Sequence, residues 1–73
     1  MCFVEFEEIR YVKLGQQIVP VTINIQNIDT ICPNVLDETK TDIGFITGTG
    51  SYIIVNLPYQ EVIEKINNKI SEK

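Results

Sequence analysis

Histidine is absent from the 73-residue chain, and so are tryptophan and alanine. Without histidine no Ser–His–Asp or Cys–His nucleophile can be assembled. A structural zinc cage takes four Cys or His ligands, and one chain offers two. Cys2 and Cys32 are also too few and too far apart for a secreted disulfide framework. Their apolar, strand-like surroundings mark them as buried free thiols. The longest aliphatic run, Ile53-Ile54-Val55, falls far short of a membrane span. The opening Met1-Cys2-Phe3-Val4-Glu5 has neither the basic n-region nor the apolar h-region of a signal peptide, so a cytoplasmic location is expected.

Positive charge is scarce. Six basic residues stand against ten acidic ones, for a net charge of −4. A duplex nucleic-acid binder draws its affinity from phosphate neutralisation. Here the only close basic pair before the C-terminal segment is Arg10 and Lys13, just downstream of Glu5, Glu7 and Glu8. Duplex nucleic acid is therefore not an expected partner. A small anionic ligand stays open, because a symmetric oligomer repeats one Arg or Lys around its axis.

What the chain does have is apolar surface: 44% hydrophobic residues against 22% charged, a globular composition. The length makes one domain, residues 1–73. Such a chain buries only about 60% of what its unfolded form exposes and leans on a disulfide, a metal or a partner. The composition leaves self-association. Thirteen isoleucines, six asparagines and five lysines beside a single arginine have AT-rich codons, which points to a low-GC bacterium or its phage.

Periodicity predicts an α+β domain. A small antiparallel sheet of four to five strands, with two hairpins, carries one C-terminal amphipathic helix. In residues 2–14 the apolar positions Cys2, Val4 and Phe6 change phase at Ile9 and Tyr11, which predicts a bulge or kink at Glu7-Glu8. After a turn at Gly15-Gln16-Gln17, strict alternation of Val19, Val21, Ile23 and Ile25 predicts a strand over 18–26. Asn27-Ile28-Asp29 reads as a turn and 29–32 as a short strand ended by Pro33. Residues 34–42 read as a polar hairpin loop, the most mobile stretch and the one to close over a ligand. Strands over 43–47 and 52–56 flank the tight turn Gly48-Thr49-Gly50-Ser51. Tyr59, Val62, Ile63, Ile66 and Ile70 then recur at helical spacing, predicting a helix over 58–70 with Pro58 in its first turn. Glu61 and Lys65 stand there at i,i+4, and Asn67-Asn68 predict a fraying end.

Several of these stretches resemble the short domain of the flagellar FlbD/SwrD-type proteins. They are Gly15-Gln16-Gln17, Ile23-Asn24, Ile28-Asp29-Thr30-Ile31, Ile46-Thr47-Gly48-Thr49-Gly50, and Ile53-Ile54-Val55 with Glu61-Val62-Ile63-Glu64-Lys65-Ile66. The likeness covers roughly residues 12–70. It departs from the family pattern in the long stretch 33–42, in a helix that opens on Leu57-Pro58, and in the extension Met1–Tyr11. The resemblance implies the same small fold and a motility role exercised through protein–protein contact.

Candidate site residues fall into three groups. The turn Gly48-Thr49-Gly50-Ser51, with Thr47 before it, either cradles a phosphate through backbone N–H groups or is simply a hairpin turn that needs positive φ. It lacks the spacing and the Lys-Ser/Thr of a P-loop. Glu5 and Glu7 lie about 7 Å apart on one strand face, either as an acid–base pair of a small hydrolase or as a solvated face. Arg10, Tyr11 and Lys13 could fork onto an anion and stack on a base, or Tyr11 packs while the two cations offset the glutamates. Lys40 and Tyr52 complete the candidate ligand set, and no catalytic residue, metal or cofactor is expected. Apolar residues on both faces of Ile53-Ile54-Val55 and of Ile43–Ile46 predict that one sheet face is buried against another copy. The expected function is a non-enzymatic, homo-oligomeric binding module. It would work either as a protein-interaction domain or by sequestering a small anionic ligand, such as a cyclic nucleotide signal, at subunit boundaries during phage anti-defence.

Overall fold

The computed structural model describes residues 2–48 and 51–72. Its elements are β1 (Phe3–Val12), β2 (Gly15–Asn24), a 3-10 turn (Ile25–Asn27), β3 (Ile28–Pro33), β4 (Thr41–Phe45), β5 (Tyr52–Val55) and α1 (Tyr59–Ser71). The strands form one antiparallel sheet in the order β2-β1-β5-β4-β3, and α1 packs on its inner face. The α+β class expected from periodicity is the one that forms. No helix among the described residues is long and apolar enough to cross a membrane.

The connection between β2 and β3 dictates the curvature. These strands are consecutive in the chain yet occupy opposite edges. Followed through the registers, Asn24 sits opposite Phe3 at one end of β1, whereas Ile28 sits opposite Phe45, at the level of Val12. On a flat sheet those points would be about 30 Å apart along the strands and about 19 Å across them. The chain from Asn24 to Ile28 reaches no further than about 14 Å. The sheet therefore coils until its two edges approach, while staying open between β2 and β3. Several hydrogen bonds hold the crossing, among them two at the 3-10 turn. The Asn24 Oδ1 caps the 3-10 turn by accepting the Gln26 N–H at 3.0 Å, and the Ile46 N–H donates to the Asn27 carbonyl at 2.8 Å.

The concave face holds the core: Val4 and Phe6 of β1, Ile23 of β2, Ile43 of β4 and Val55 of β5, covered by Val62 and Ile66 of α1. Thr41 is buried among them, its hydroxyl donating to the Leu57 carbonyl at 2.8 Å. That bond ties the start of β4 to the chain entering α1. Pro58 is the N-cap of the helix, one position before the place expected for it, and supplies no capping side chain.

Several expectations need correcting. β1 has no bulge: its ten residues pair with β2 in unbroken register from Phe3↔Asn24 to Val12↔Gly15. The change of apolar phase arises because the strand is buried on both faces, Val4 and Phe6 toward the helix and Ile9 on the opposite side. The hairpin turn is Lys13-Leu14, so β2 starts at Gly15 and ends before Ile25, which the 3-10 turn claims. β3 begins one residue earlier than expected, at Ile28 opposite Phe45, and β4 begins two residues earlier because Thr41 pairs with Pro33, which extends β3. Thr47 is lost from β4 to a clasp with Asn27. The helix runs through Asn67-Asn68 to Ser71. Lys65 lies over the Phe6 ring at 5.0 Å, away from the expected pairing with Glu61. Cys32 is an exposed thiol and Cys2 a half-buried one.

Candidate functional site

The first group of candidate residues lies on the β1–β2 hairpin. Arg10 is turned toward Glu8, with its guanidinium 3.2 Å from the carboxylate. Tyr11 is exposed on the convex face and Lys13 sits in the turn. Glu5 and Glu7 share the convex face with Tyr11, and Glu7 accepts a long hydrogen bond, 3.4 Å, from the Asn56 side-chain amide. Both carboxylates are exposed on an open surface, without the walls that would hold a substrate between them.

The second group is the β4–β5 turn. Gly48 adopts φ +82°, a conformation an L side chain resists, and its carbonyl accepts the Ser51 N–H at 2.9 Å. Thr49 and Gly50 lie outside the described residues. Thr47 is held from across the fold: the Asn27 amide donates to Thr47 Oγ1 at 3.0 Å, and the Thr47 N–H donates back to Asn27 Oδ1 at 3.3 Å. Tyr52 leaves the turn exposed on the convex face. Beside the turn, where the coiled sheet stays open, lies a shallow cleft of about 280 Å³. Val21, Ile23, Phe45 and Ile53 floor it, while Thr22, Asn24, Asn27 and Thr47 rim it, so its lining carries no charge.

Lys40 lies apart from that turn, at the foot of the β3–β4 loop. The loop is laced by its own polar side chains. Asn34 Oδ1 accepts the N–H groups of Leu36 and Asp37, each at 3.0 Å, and its amide donates to Asp42 at 2.9 Å. Asp37 accepts the Thr39 N–H at 3.0 Å and the Thr39 hydroxyl at 2.6 Å, and its other oxygen takes Lys40 Nζ at 2.6 Å. The Lys40 and Thr39 hydrogen bonds hold the Asp37 carboxyl well below the usual carboxylate range. The Asp37 hydrogen bond raises Lys40 above its ordinary value, with a small contribution from Tyr11. This lacing turns Val35 and Leu36 outward, 92% and 95% exposed.

The candidate set is thus divided rather than gathered. Tyr11 and Lys40 come within electrostatic range of each other, but Arg10 and Lys40 are each engaged by a neighbouring carboxylate. Among the described residues no group of three acidic, Cys or His side chains could hold a metal. Sequence reasoning missed Asn27, Asn34 and Asp37 as organisers. For Asn34 and Asp37 the signal was present in the residue types, since Asn and Asp in turns bond to backbone N–H groups two or three positions on, whereas Asn27 bonds to Thr47, twenty residues away, and gives no local signal. Comparison with family models, with curated proteins and with solved structures gives no match.

Proposed function

We propose that this chain is a non-enzymatic binding module of bacterial or phage origin, acting as a homo-oligomer through protein–protein contact. The observation that carries the reading is the exposure of large apolar side chains where two elements project. Tyr11, Val12, Leu14 and Ile18 stand out from the β1–β2 hairpin, and Val35 and Leu36 from the laced loop. Single exposed apolar residues are ordinary, whereas contiguous groups of them mark contact surfaces. The resemblance to the FlbD/SwrD-type domain points the same way, toward contact rather than chemistry. Hydrolysis through Glu5 and Glu7 would need a cleft between two carboxylates, and these two stand on an open face.

The anion-sequestering version has less support. Its cations would be Arg10, Lys13 and Lys40, and two of the three, Arg10 and Lys40, already face a carboxylate, Glu8 and Asp37. An incoming anion would have to displace those partners. Native mass spectrometry of the protein as purified from cells separates the readings. A bare oligomer, with a specific protein recovered in a pull-down, is the expected result. An oligomer that releases an intact molecule of nucleotide size would return the sequestering version. A bare monomer at every concentration would overturn the oligomeric reading.

A further inference from the structure

From Arg10 to Ile18 every residue is exposed, because β1 meets β5 at Glu8 and Ile9 and then parts from it. A two-stranded ribbon standing alone in water is at best marginally stable. This one nevertheless keeps its register to the tip. Its convex face offers Tyr11 and Ile18, with Tyr52 of β5 on the same side, at 64%, 52% and 62% exposure.

Both sheet edges discourage a docking strand, which directs a partner to that face. The Glu7 carbonyl is taken by the Asn56 N–H from the β5 side. Glu7 and its neighbour Pro20 therefore exchange no bonds, and the Pro20 nitrogen points to the outer edge with no proton to donate. On the other edge, the irregularity between Ile28 and Thr30 breaks the outer row of β3.

We infer that the occupant of the convex face is a second copy of this chain, stacked about a two-fold axis near Ile9 with the two β1 strands antiparallel. The inference rests on the oligomeric reading above and adds its geometry. Glu5, Glu7, Ile9 and Tyr11 alternate onto this face, Ile9 itself already buried within the single chain at 3% exposure, and Lys13 stands at the tip. Glu5 precedes Ile9 by four residues and Lys13 follows it by four. A two-fold axis there sets each Glu5 against the partner's Lys13, and each Glu7 against the hydroxyl of the partner's Tyr11. A parallel stack would instead oppose glutamates to glutamates. Among the described residues Arg10, Lys40 and Lys69 have ion-pair partners within the chain, whereas Lys13 and Lys65 have none, and Lys65 lies over the Phe6 ring.

Sedimentation equilibrium over a range of concentrations, on the whole chain and its charge variants, tests the stack. The unaltered protein should dimerise. Lys13→Glu and Glu5→Lys should each weaken the dimer about tenfold or more, because two symmetry-related attractions become repulsions. The double variant should recover the original dissociation constant, since the reversed charges face each other again. Ile18→Asp should abolish the dimer with an unchanged circular dichroism spectrum, as Ile18 is 52% exposed in the single chain. A dimer indifferent to both single reversals, or unrescued in the double variant, would overturn this stack and leave the oligomeric reading standing. A monomer at all concentrations would overturn both.

Discussion

Thr41 is the one polar side chain among the described residues that is wholly buried, and its hydroxyl satisfies the Leu57 carbonyl. Thr41→Val keeps the shape and removes the donor, so it should cost about 1–3 kcal/mol in chemical denaturation. Thr41→Ser keeps the donor and should retain more stability; a larger loss for Ser than for Val would show that the methyl group outweighs the bond. Asp37 and Lys40 give a second residue-scale expectation, this time in pH. The folded-state pKa of Asp37 lies below its ordinary 3.8. Its stabilisation is therefore complete above the ordinary value and is lost as pH falls through the folded one. Lys40 lies above its ordinary 10.5, so its share is complete below that value and is lost as pH rises through the folded one. Across the window between them the pair is intact. Asp37→Asn should lower the urea midpoint at pH 6, and the gap from the unaltered protein should narrow at pH 3. A gap that stays constant would mean the carboxylate does not stabilise the loop through its charge.

Among the elements, α1 gives the sharpest internal contrast. Ile66 and Ile70 are one turn apart and identical in type, yet Ile66 is 6% exposed and Ile70 53%. Ile66→Ala should therefore cost about 2–5 kcal/mol by opening a cavity against the sheet, and Ile70→Ala less than about 1 kcal/mol. Comparable losses would mean that the last turn packs as firmly as the middle. The helix was legible in the sequence because its 3.6-residue spacing survives without knowledge of neighbours, and so was the inward alternation of Val19, Val21 and Ile23. The phase change at Ile9 was misread because parity in one strand cannot separate a bulge from burial on both faces. That distinction depends on Ile18 and Ile54 flanking Ile9 in the sheet. The lacing of the β3–β4 loop was missed for a related reason, in that polar composition alone does not say whether Asn34 and Asp37 bond to water or to the backbone beside them. The candidate ligand set failed to gather because pairing decided the fate of Arg10 and Lys40. Each found a carboxylate two or three residues away, a competition that residue type alone leaves undecided.

At the scale of the molecule, the coiled sheet and the free ribbon have opposite consequences for local stability. The chain spans 42 × 25 × 21 Å, with all its buried hydrophobic side chains but Ile9 gathered in the core between the concave face and α1. The ribbon from Arg10 to Ile18 holds no buried residue. Amides in a cooperative core exchange with solvent through global opening, while those of a segment with few buried contacts exchange through local fraying. In a lone chain the amides of β1 and β2 near the Lys13-Leu14 turn should exchange rapidly, and that of Ile43 slowly. If a second copy covers the convex face, raising the protein concentration should slow the ribbon amides about tenfold or more, in proportion to the dimer formed, with little change at Ile43. In the Lys13→Glu variant the ribbon should remain fast across the same range. The contrast with Ile43 matters, because a general gain in stability would slow both sets together. Ribbon amides protected equally at low and high concentration would mean that the hairpin holds without a partner. Its exposed tyrosine and isoleucine would then be available to a different protein rather than to another copy of this chain.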